Sequence, residues 1–391
     1  MQLNHSLQFA YCTNVHRGET WPETFLFLQK DTLAVRERVC PGKPFAIGLR
    51  LGQQAATQLS DRDTLLEFRR WLGKNSCYVF TINGFAYGQF HGKRVKEHVY
   101  NPDWAFADRV AYTNLLFNLL SELVPPGLEG SVSTVPGTYK PLSPSLDAIK
   151  MIRQNIWRTV EHVARISSRT GRKLHLALEP EPLCLLESTA ETINFFDHLR
   201  EEHPRDERLA AHLGVNYDTC HFAVEYEEPQ NALGCLLNHG INISKIQLSS
   251  ALKVVPTPEA CQELRKFADD IYLHQVVARD SAGNRTIFPD LPDALAYARS
   301  AYGEGAELPE WRIHFHVPLH APAAPPFDHT KDHLLGVLDL LSQTPQLCSH
   351  LEMETYTWEV LPPELKSQTV VDQVVAEYEW TLGQLRERGL A

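Results

Sequence analysis

Asp218-Thr219-Cys220-His221 ends an apolar, strand-like segment and places an acidic residue and a histidine three positions apart. Three other apolar segments end in a carboxylate or an imidazole, at Glu179, His316 and Glu354. One such strand end is common in proteins. Four of them predict one site at the mouth of a parallel barrel, because that end of a barrel brings together the residues at its strand ends.

Strand-like and helix-like segments alternate along the chain, which is typical of an α/β fold with a parallel sheet. The sequence predicts nine strands, at residues 7–14, 45–51, 78–83, 130–135, 174–179, 213–218, 245–249, 311–317 and 350–355. Helical stretches lie between most of them. A (β/α)8 barrel has eight strands, so we predict a single TIM-barrel domain over residues 1–391 with an insertion between about residues 241 and 310.

The predicted strands alternate in polarity. In the segment 174–179, Leu174, Leu176 and Leu178 form one apolar face, whereas His175 and Glu179 lie on the other. Barrel strands direct alternate residues to the lumen and to the surrounding helices. The pattern therefore predicts a barrel whose upper interior is polar.

Composition and charge limit the class of protein. The 391 residues are 43% hydrophobic and 22% charged, as in ordinary globular proteins. The formal charge of −11 argues against a nucleic-acid partner. Eight scattered cysteines, no signal-peptide pattern and no apolar run of about 20 residues predict a cytoplasmic protein without a membrane span. Gly303-Glu304-Gly305 is too short for a nucleotide-binding loop. The predicted site at the barrel mouth makes a small-molecule metabolite the expected partner.

The four strand ends have the residue types that bind divalent zinc, manganese or magnesium. Glu179, Asp218, His316 and Glu354 are the candidate ligands, and His221 adds a ligand or a hydrogen bond to one. Each carboxylate has an alternative role as a cap of the next helix. The neighbours two positions away, which alternate onto the same face, are weaker candidates: Glu181, His314 and Glu352.

Candidate substrate-binding residues lie in loops after the first and third strands. Asn14 and His16 follow the first strand, where they either hydrogen-bond substrate hydroxyls or anchor the loop. Lys93 and Arg94 lie in the basic stretch 89–100, which is either a grip for phosphate or carboxylate or a solvated loop. If the substrate is anionic, we expect Lys93 or Arg94 to face the barrel mouth.

The order of a Glu-ending strand, a D-x-x-H segment and a final Glu-ending strand resembles the xylose-isomerase-like TIM barrels, which include sugar phosphate isomerases and epimerases. Asp218-Thr219-Cys220-His221 is similar to the metal motif of endonuclease IV. The resemblance implies one to three divalent metals, with Glu179, Asp218 and Glu354 as ligands. The family's next metal strand usually ends in His; this chain has Gln247 there, which we expect to contact substrate.

Five segments resemble the metabolite traffic protein family (EboE-type), which is associated with bacterial gene clusters that make and export small molecules. They are STVPGTYK (133–140), NYDTCHFAVE (216–225), KIQLSSAL (245–252), HFHVPLH (314–320) and HLEMETYTWEVLPP (350–363). The resemblance implies proteins of the same biosynthetic cluster as partners.

These observations lead to three hypotheses. The first is a metal-dependent isomerase or epimerase of a small polyhydroxylated or carbonyl metabolite, in which Glu179 and Glu354 exchange a proton with the substrate through an enediolate. The second is a weakly catalytic or non-catalytic barrel that binds or carries a metabolite. The third is a phosphodiesterase similar to endonuclease IV, which the acidic charge opposes.

Overall fold

Eight parallel strands form a barrel in the computed structural model, which describes residues 1–302 and 307–391. With strands numbered along the chain, the barrel consists of β1 Gln8–Tyr11, β2 Phe45–Arg50, β3 Cys77–Asn83, β4 Gly130–Thr134, β5 Leu174–Leu178, β6 Leu213–Asp218, β7 Asn242–Leu248 and β13 His350–Met353. The sheet order is β1-β13-β7-β6-β5-β4-β3-β2, and a parallel bridge between Cys12 and Gly48 joins its two ends. The predicted TIM-barrel fold is confirmed. Gly303-Glu304-Gly305 lies outside the described residues.

An antiparallel sheet of five strands is inserted between β7 and β13. It consists of β8 Ala251–Val254, β9 Val276–Arg279, β10 Arg285–Phe288, β11 Glu310–His316 and β12 Phe327–His329, in the order β10-β9-β11-β8-β12. The insertion that the sequence indicated is present, and its sheet extends past residue 310 to His329. The ninth predicted strand, 311–317, is therefore not a barrel strand: it is β11, which pairs antiparallel with β8 and β9.

Helices surround both sheets. They are α1 Trp21–Phe27, α2 Leu33–Val39, α3 Gln53–Leu59, α4 Arg62–Lys74, α5 Ala107–Leu123, α6 Leu146–Thr170, α7 Thr189–Glu202, α8 Glu207–His212, α9 Thr219–Val224, α10 Pro229–Asn238, α11 Pro258–Leu264, α12 Leu291–Ala301, α13 Lys331–Gln343 and α14 Val370–Glu387. Within the described ranges, no helix is long and apolar enough to cross a membrane.

Local sequence explains several helix boundaries. Capping boxes start α1 at Thr20 and α7 at Ser188. In each box the glutamate side chain, Glu23 or Glu191, accepts a hydrogen bond from the backbone N–H of the cap residue. Gly171 ends α6 at a φ of 67°, a left-handed conformation that glycine adopts without strain.

The insertion has a hydrophobic core of its own and a polar face toward the barrel. Trp311, Ile313 and Phe315 of β11 pack into that core. The alternate residues of the same strand point the other way, and His314 contacts His221 of α9. The antiparallel insertion therefore delivers imidazoles to the carboxyl end of the parallel barrel.

Candidate metal centre

Three carboxylates from three barrel strands meet at one point. Glu179 follows β5, Asp218 ends β6 and Glu354 follows β13, and their side chains are only 3%, 0% and 5% exposed. One oxygen from each lies within 4.8 Å of the others. Parallel strands run out at the same end of a barrel, which explains why residues so distant in sequence converge here.

Asp218 uses its two oxygens differently. Oδ1 accepts hydrogen bonds from the backbone N–H of Cys220 (2.8 Å) and His221 (3.2 Å) and from the Ser249 hydroxyl (2.5 Å). Oδ2 has no hydrogen-bond partner among the described residues. Burial opposes ionisation, but the His221 and His316 imidazoles and these hydrogen bonds hold the pKa of Asp218 below its usual value. Asp218 therefore caps α9 and still presents a free oxygen.

Glu179 and Glu354 are crowded carboxyls. Burial, together with nearby Asp218, raises the pKa of Glu179 to about 8, and its Oε2 has no partner in the described part of the chain. Burial and the charges of Glu179 and Asp218 also raise the pKa of Glu354 well above its usual value. The Asn14 and Asn83 amides donate to Glu354 Oε1 and orient it. A divalent cation would relieve this repulsion.

His316 of β11 brings a nitrogen ligand next to Asp218. Its Nδ1 lies 2.8 Å from the carbonyl oxygen of Glu354, which can only accept, so the proton of the neutral ring is on Nδ1. Nε2 is then a free lone pair, and it has no partner within the described residues. Burial lowers the pKa of His316 to about 4, so the ring is neutral at pH 7. Asp218, His221 and His316 form a second set of possible ligands that shares Asp218 with the first.

His221 has both ring nitrogens engaged. Nδ1 donates to the Pro180 carbonyl at 2.9 Å, and Nε2 lies 3.1 Å from Nε2 of His314. Because the Gln275 amide nitrogen donates to Tyr100, its Oε1 accepts the Nδ1–H of His314. Three protons on two imidazoles give the pair one positive charge. Burial opposes it, but the Asp218, Glu181 and Glu179 carboxylates raise the pKa of His221. In this arrangement His221 fits the hydrogen-bonding role better than the ligand role.

A pocket of about 70 Å³ adjoins the carboxylates. Glu179, Glu354 and Asn14 line its floor. The rings of Phe90, Tyr272 and Tyr356 lie 5.2–5.5 Å from one another and also line it.

Glu181, which the sequence ranked below Glu179, also lines this pocket. Its Oε1 accepts a hydrogen bond from the Tyr100 hydroxyl at 2.9 Å, and burial raises its pKa to about 7. Its position two residues after Glu179 was the available signal. The sequence contains no comparable signal for Tyr100, which reaches the pocket from a loop.

Four of the residues predicted to contact substrate do not line this pocket. His16 packs beneath the first loop, stacked on Phe27 at 4.5 Å and hydrogen-bonded to the Tyr11 hydroxyl. Lys93 and Arg94 are exposed at a loop tip, whereas Lys96 of the same loop lines the pocket. Gln247 is buried between strands, where Oε1 accepts from Asn216, and it does not line the pocket.

Comparisons with known proteins show similarity only at the level of the fold. No family model matches the chain, and no curated protein matches it either. A xylose isomerase-like TIM-barrel protein from Mycobacterium smegmatis, in complex with magnesium, superposes with a TM-score of 0.55 at 12% identity and covers 99% of both chains. An L-ribulose 3-epimerase gives 0.51 at 11% identity, over 99% of this chain and 96% of that one.

A probable 3-DHS dehydratase of petrobactin synthesis from Bacillus anthracis gives a TM-score of 0.50 at 13% identity, over 96% of this chain and 99% of that one. At such identities the likeness extends to the fold alone. The resemblance to the metabolite traffic protein family stays a prediction. The chain has the xylose isomerase-like TIM-barrel fold.

Proposed function

We propose that this protein binds a divalent metal and acts on a small polyhydroxylated or carbonyl metabolite, in the manner of an isomerase or epimerase. One observation carries the proposal: Glu179 Oε2, Asp218 Oδ2 and His316 Nε2 are buried and have no hydrogen-bond partner among the described residues. Buried polar atoms are nearly always paired. Three unpaired ligand atoms beside a pocket fit a zinc, manganese or magnesium ion held with Glu354 as a further ligand.

When bound, such an ion would polarise a substrate carbonyl. The proton transfers belong to the carboxyl groups. Either Glu179 or Glu354 removes the proton from the carbon next to the carbonyl, and the other carboxyl returns a proton to give the isomer. In the metal-free fold, burial raises the pKa of both groups, to about 8 for Glu179. Asn14 and Asn83 keep Glu354 oriented toward the pocket.

The pocket also bears on the choice between an isomerase, a metabolite carrier and a phosphodiesterase. Its small volume and its aromatic roof support a small metabolite over a nucleic-acid strand, so no observation favours the phosphodiesterase. A carrier of metabolites would use the same pocket and differ only in lacking proton exchange. Partnership with proteins of a biosynthetic cluster stays a prediction.

Elemental analysis of the purified protein tests the metal. We expect about one divalent ion per chain in wild type and none in the Glu179→Gln, Asp218→Asn double variant. Asp197→Asn, Glu201→Gln is the matched control, because the same two changes then fall on exposed carboxylates of α7. Equal metal content in all three proteins would refute the site.

Proton exchange tests the activity. Metal-loaded protein is incubated with free ketoses in deuterated water, and mass spectrometry follows deuterium at the carbon next to the carbonyl. We expect incorporation with wild type and its loss in Glu354→Gln. Metal and ketose binding without incorporation would support the carrier instead.

A further inference from the structure

We infer that the pocket accepts uncharged polyhydroxylated substrates and excludes their phosphorylated or carboxylated counterparts, an inference that rests on the proposed function for the identity of the pocket. The evidence is the set of charged side chains around the cavity, together with the ion pairs and hydrogen bonds that these side chains already form.

The arginine and the lysine that line the pocket are both neutralised by ion pairs. The terminal nitrogens of Arg50 lie 3.3 and 3.4 Å from the Glu19 carboxylate and donate to the carbonyls of Gly18 and Gly88 at 2.9 and 2.8 Å. Lys96 donates to the Asp290 carboxylate and, at 3.0 Å, to the Asp269 carbonyl. Both cations are about 95% buried. An anionic substrate would have to separate buried ion pairs to reach either one, which is costly.

When a metal ion is bound and its carboxyl ligands have ionised, the remaining charge around the pocket is mostly negative. Glu179, Glu181 and Glu354 line the cavity, and Asp218 lies beside them. A single divalent ion would leave no surplus of positive charge for a phosphate. In a buried site of low effective dielectric, a further anion next to these carboxylates is repelled.

The upper walls of the pocket offer packing in place of charge. They are formed by Phe85, Ala86, Phe90, Val95, Val99 and Leu273. Such a surface gives a phosphate no hydrogen bonds, and burying an unpaired charge against it is unfavourable. The C–H face of an uncharged polyol packs well there, while its hydroxyls point to the floor.

Lys93 and Arg94 do not change this conclusion. Both are exposed and neither lines the cavity. Exposed cations are screened by salt and add little to the binding of a ligand enclosed elsewhere.

Calorimetry on the magnesium-loaded protein at pH 7.5 tests the inference with D-xylulose and D-fructose against D-xylulose 5-phosphate and D-fructose 6-phosphate. We expect each free ketose to bind at least tenfold more tightly than its phosphate, and Lys93→Ala, Arg94→Ala to leave both affinities unchanged. Tighter or equal binding of the phosphates would overturn the inference and leave the proposed function standing. Binding of neither series would contradict the proposed function itself, and the inference with it.

A second variant tests the cause. Asp290→Asn keeps an oxygen to accept the N–H groups of Leu291 and His274, but it removes the charge that neutralises Lys96. We expect this variant to bind the phosphates at least fivefold more tightly than wild type and the free ketoses unchanged. Affinity for the phosphates that matches wild type would show that ion pairing is not what excludes anions.

Discussion

At the scale of single residues, Asp218 resolves two interpretations that its sequence context left open. A helix cap and a metal ligand are usually alternatives, yet here one oxygen caps the helix and the other is left available for the proposed metal. Oδ1 holds the first turn of α9 through the N–H groups of Cys220 and His221, and Oδ2 has no hydrogen-bond partner among the described residues. The cap fixes the carboxylate in place, so the free oxygen is already oriented.

His316 gives the first prediction. Replacing it with Ala removes the proposed nitrogen ligand, so the affinity for Mn²⁺ should fall by more than the roughly 10–100-fold typical of outer hydrogen-bond partners. Isothermal titration calorimetry measures the loss. His320→Ala is the control, because His320 is only half-buried and does not line the pocket. Unchanged affinity in His316→Ala would remove this residue from the ligand set.

Metal binding should release protons. The pKa of Glu179 is raised from its ordinary 4.5 to about 8 in the metal-free fold, so at pH 7 its carboxyl is mostly protonated and must ionise to bind a cation. Apparent metal affinity should therefore rise with pH up to about 8. Calorimetry at pH 7 in buffers of different ionisation enthalpy should show about one proton released per metal, and Glu179→Gln should release fewer.

The raised pKa of Glu179 also determines whether the stability of the metal-free protein rises or falls with pH. Between pH 4.5 and about 8 the metal-free native state binds more protons than the unfolded chain, so the stability from Glu179 is greatest below pH 4.5 and declines as pH rises through this range. Metal binding without proton release would show that Glu179 is ionised in the native state.

Local sequence could identify the strand-end carboxylates but not the surroundings that decide their role. Glu179, Asp218 and Glu354 stand out because an apolar strand ends at each of them. The pairing of Arg50 with Glu19 and of Lys96 with Asp290 depends on contacts between distant loops. For the same reason, the sequence pointed to the exposed Lys93 and Arg94 as the anion-binding residues.

At the scale of elements, two cation–aromatic contacts on one tyrosine ring hold the insertion against the barrel. The Tyr226 ring, just after α9, has the guanidinium groups of Arg279 and Arg312 each 4.0 Å from its centroid. Arg312 also donates a hydrogen bond to the backbone carbonyl of Ala223 at 2.7 Å. The Tyr226 hydroxyl donates to the backbone carbonyl of Glu310, also at 2.7 Å. These contacts fix β11, and with it His314 and His316, against α9.

We therefore expect Arg312→Ala to weaken metal binding although Arg312 is not itself a candidate ligand. The predicted loss is about 10–100-fold, with a changed visible spectrum of the Co²⁺-loaded protein as His316 shifts. Arg312→Lys should restore part of the metal affinity and part of the wild-type spectrum. Arg299→Ala, an exposed change on α12, should alter neither the affinity nor the spectrum. Wild-type metal affinity and spectrum in Arg312→Ala would show that β11 is held by other contacts.

Closure of the barrel depends on Gly48 in β2. A Cβ there would lie 1.9 Å from Glu352 Oε1 and 2.6 Å from the Tyr11 carbonyl, in the row where Cys12 and Gly48 join β1 to β2. Gly48→Ala should lower the free energy of unfolding by about 1–3 kcal/mol, as overpacking does. Gly73→Ala in α4 meets nothing within 4 Å and should stabilise by about 0.5–1 kcal/mol. Chemical denaturation measures both, and equal stability of the two variants would contradict the close contact.

Strand pattern was sufficient for the barrel and insufficient for the insertion. The eight barrel strands were predicted from apolar alternation, and all are present. Arg312, His314 and His316 alternate with apolar residues in the same way, so β11 looked like a ninth barrel strand. Whether a strand pairs parallel or antiparallel depends on distant partners, which local alternation does not encode.

At the scale of the whole molecule, the candidate centre lies where two sheets meet. The barrel supplies Glu179, Asp218 and Glu354, and the insertion supplies His316 together with part of the pocket roof at Tyr272. The two sheets have separate hydrophobic cores. We propose that they form a single domain nevertheless, because neither part holds the complete set of ligands alone.

Anomalous diffraction from crystals of the Mn²⁺-loaded protein tests the central claim most directly. The account predicts one strong anomalous peak per chain, about 2.0–2.3 Å from an oxygen of each of Glu179, Asp218 and Glu354 and from Nε2 of His316. The same measurement on the Glu179→Gln, Asp218→Asn variant should show no peak there. A peak at another place, or a wild-type pocket that stays without metal in excess Mn²⁺, would contradict the account.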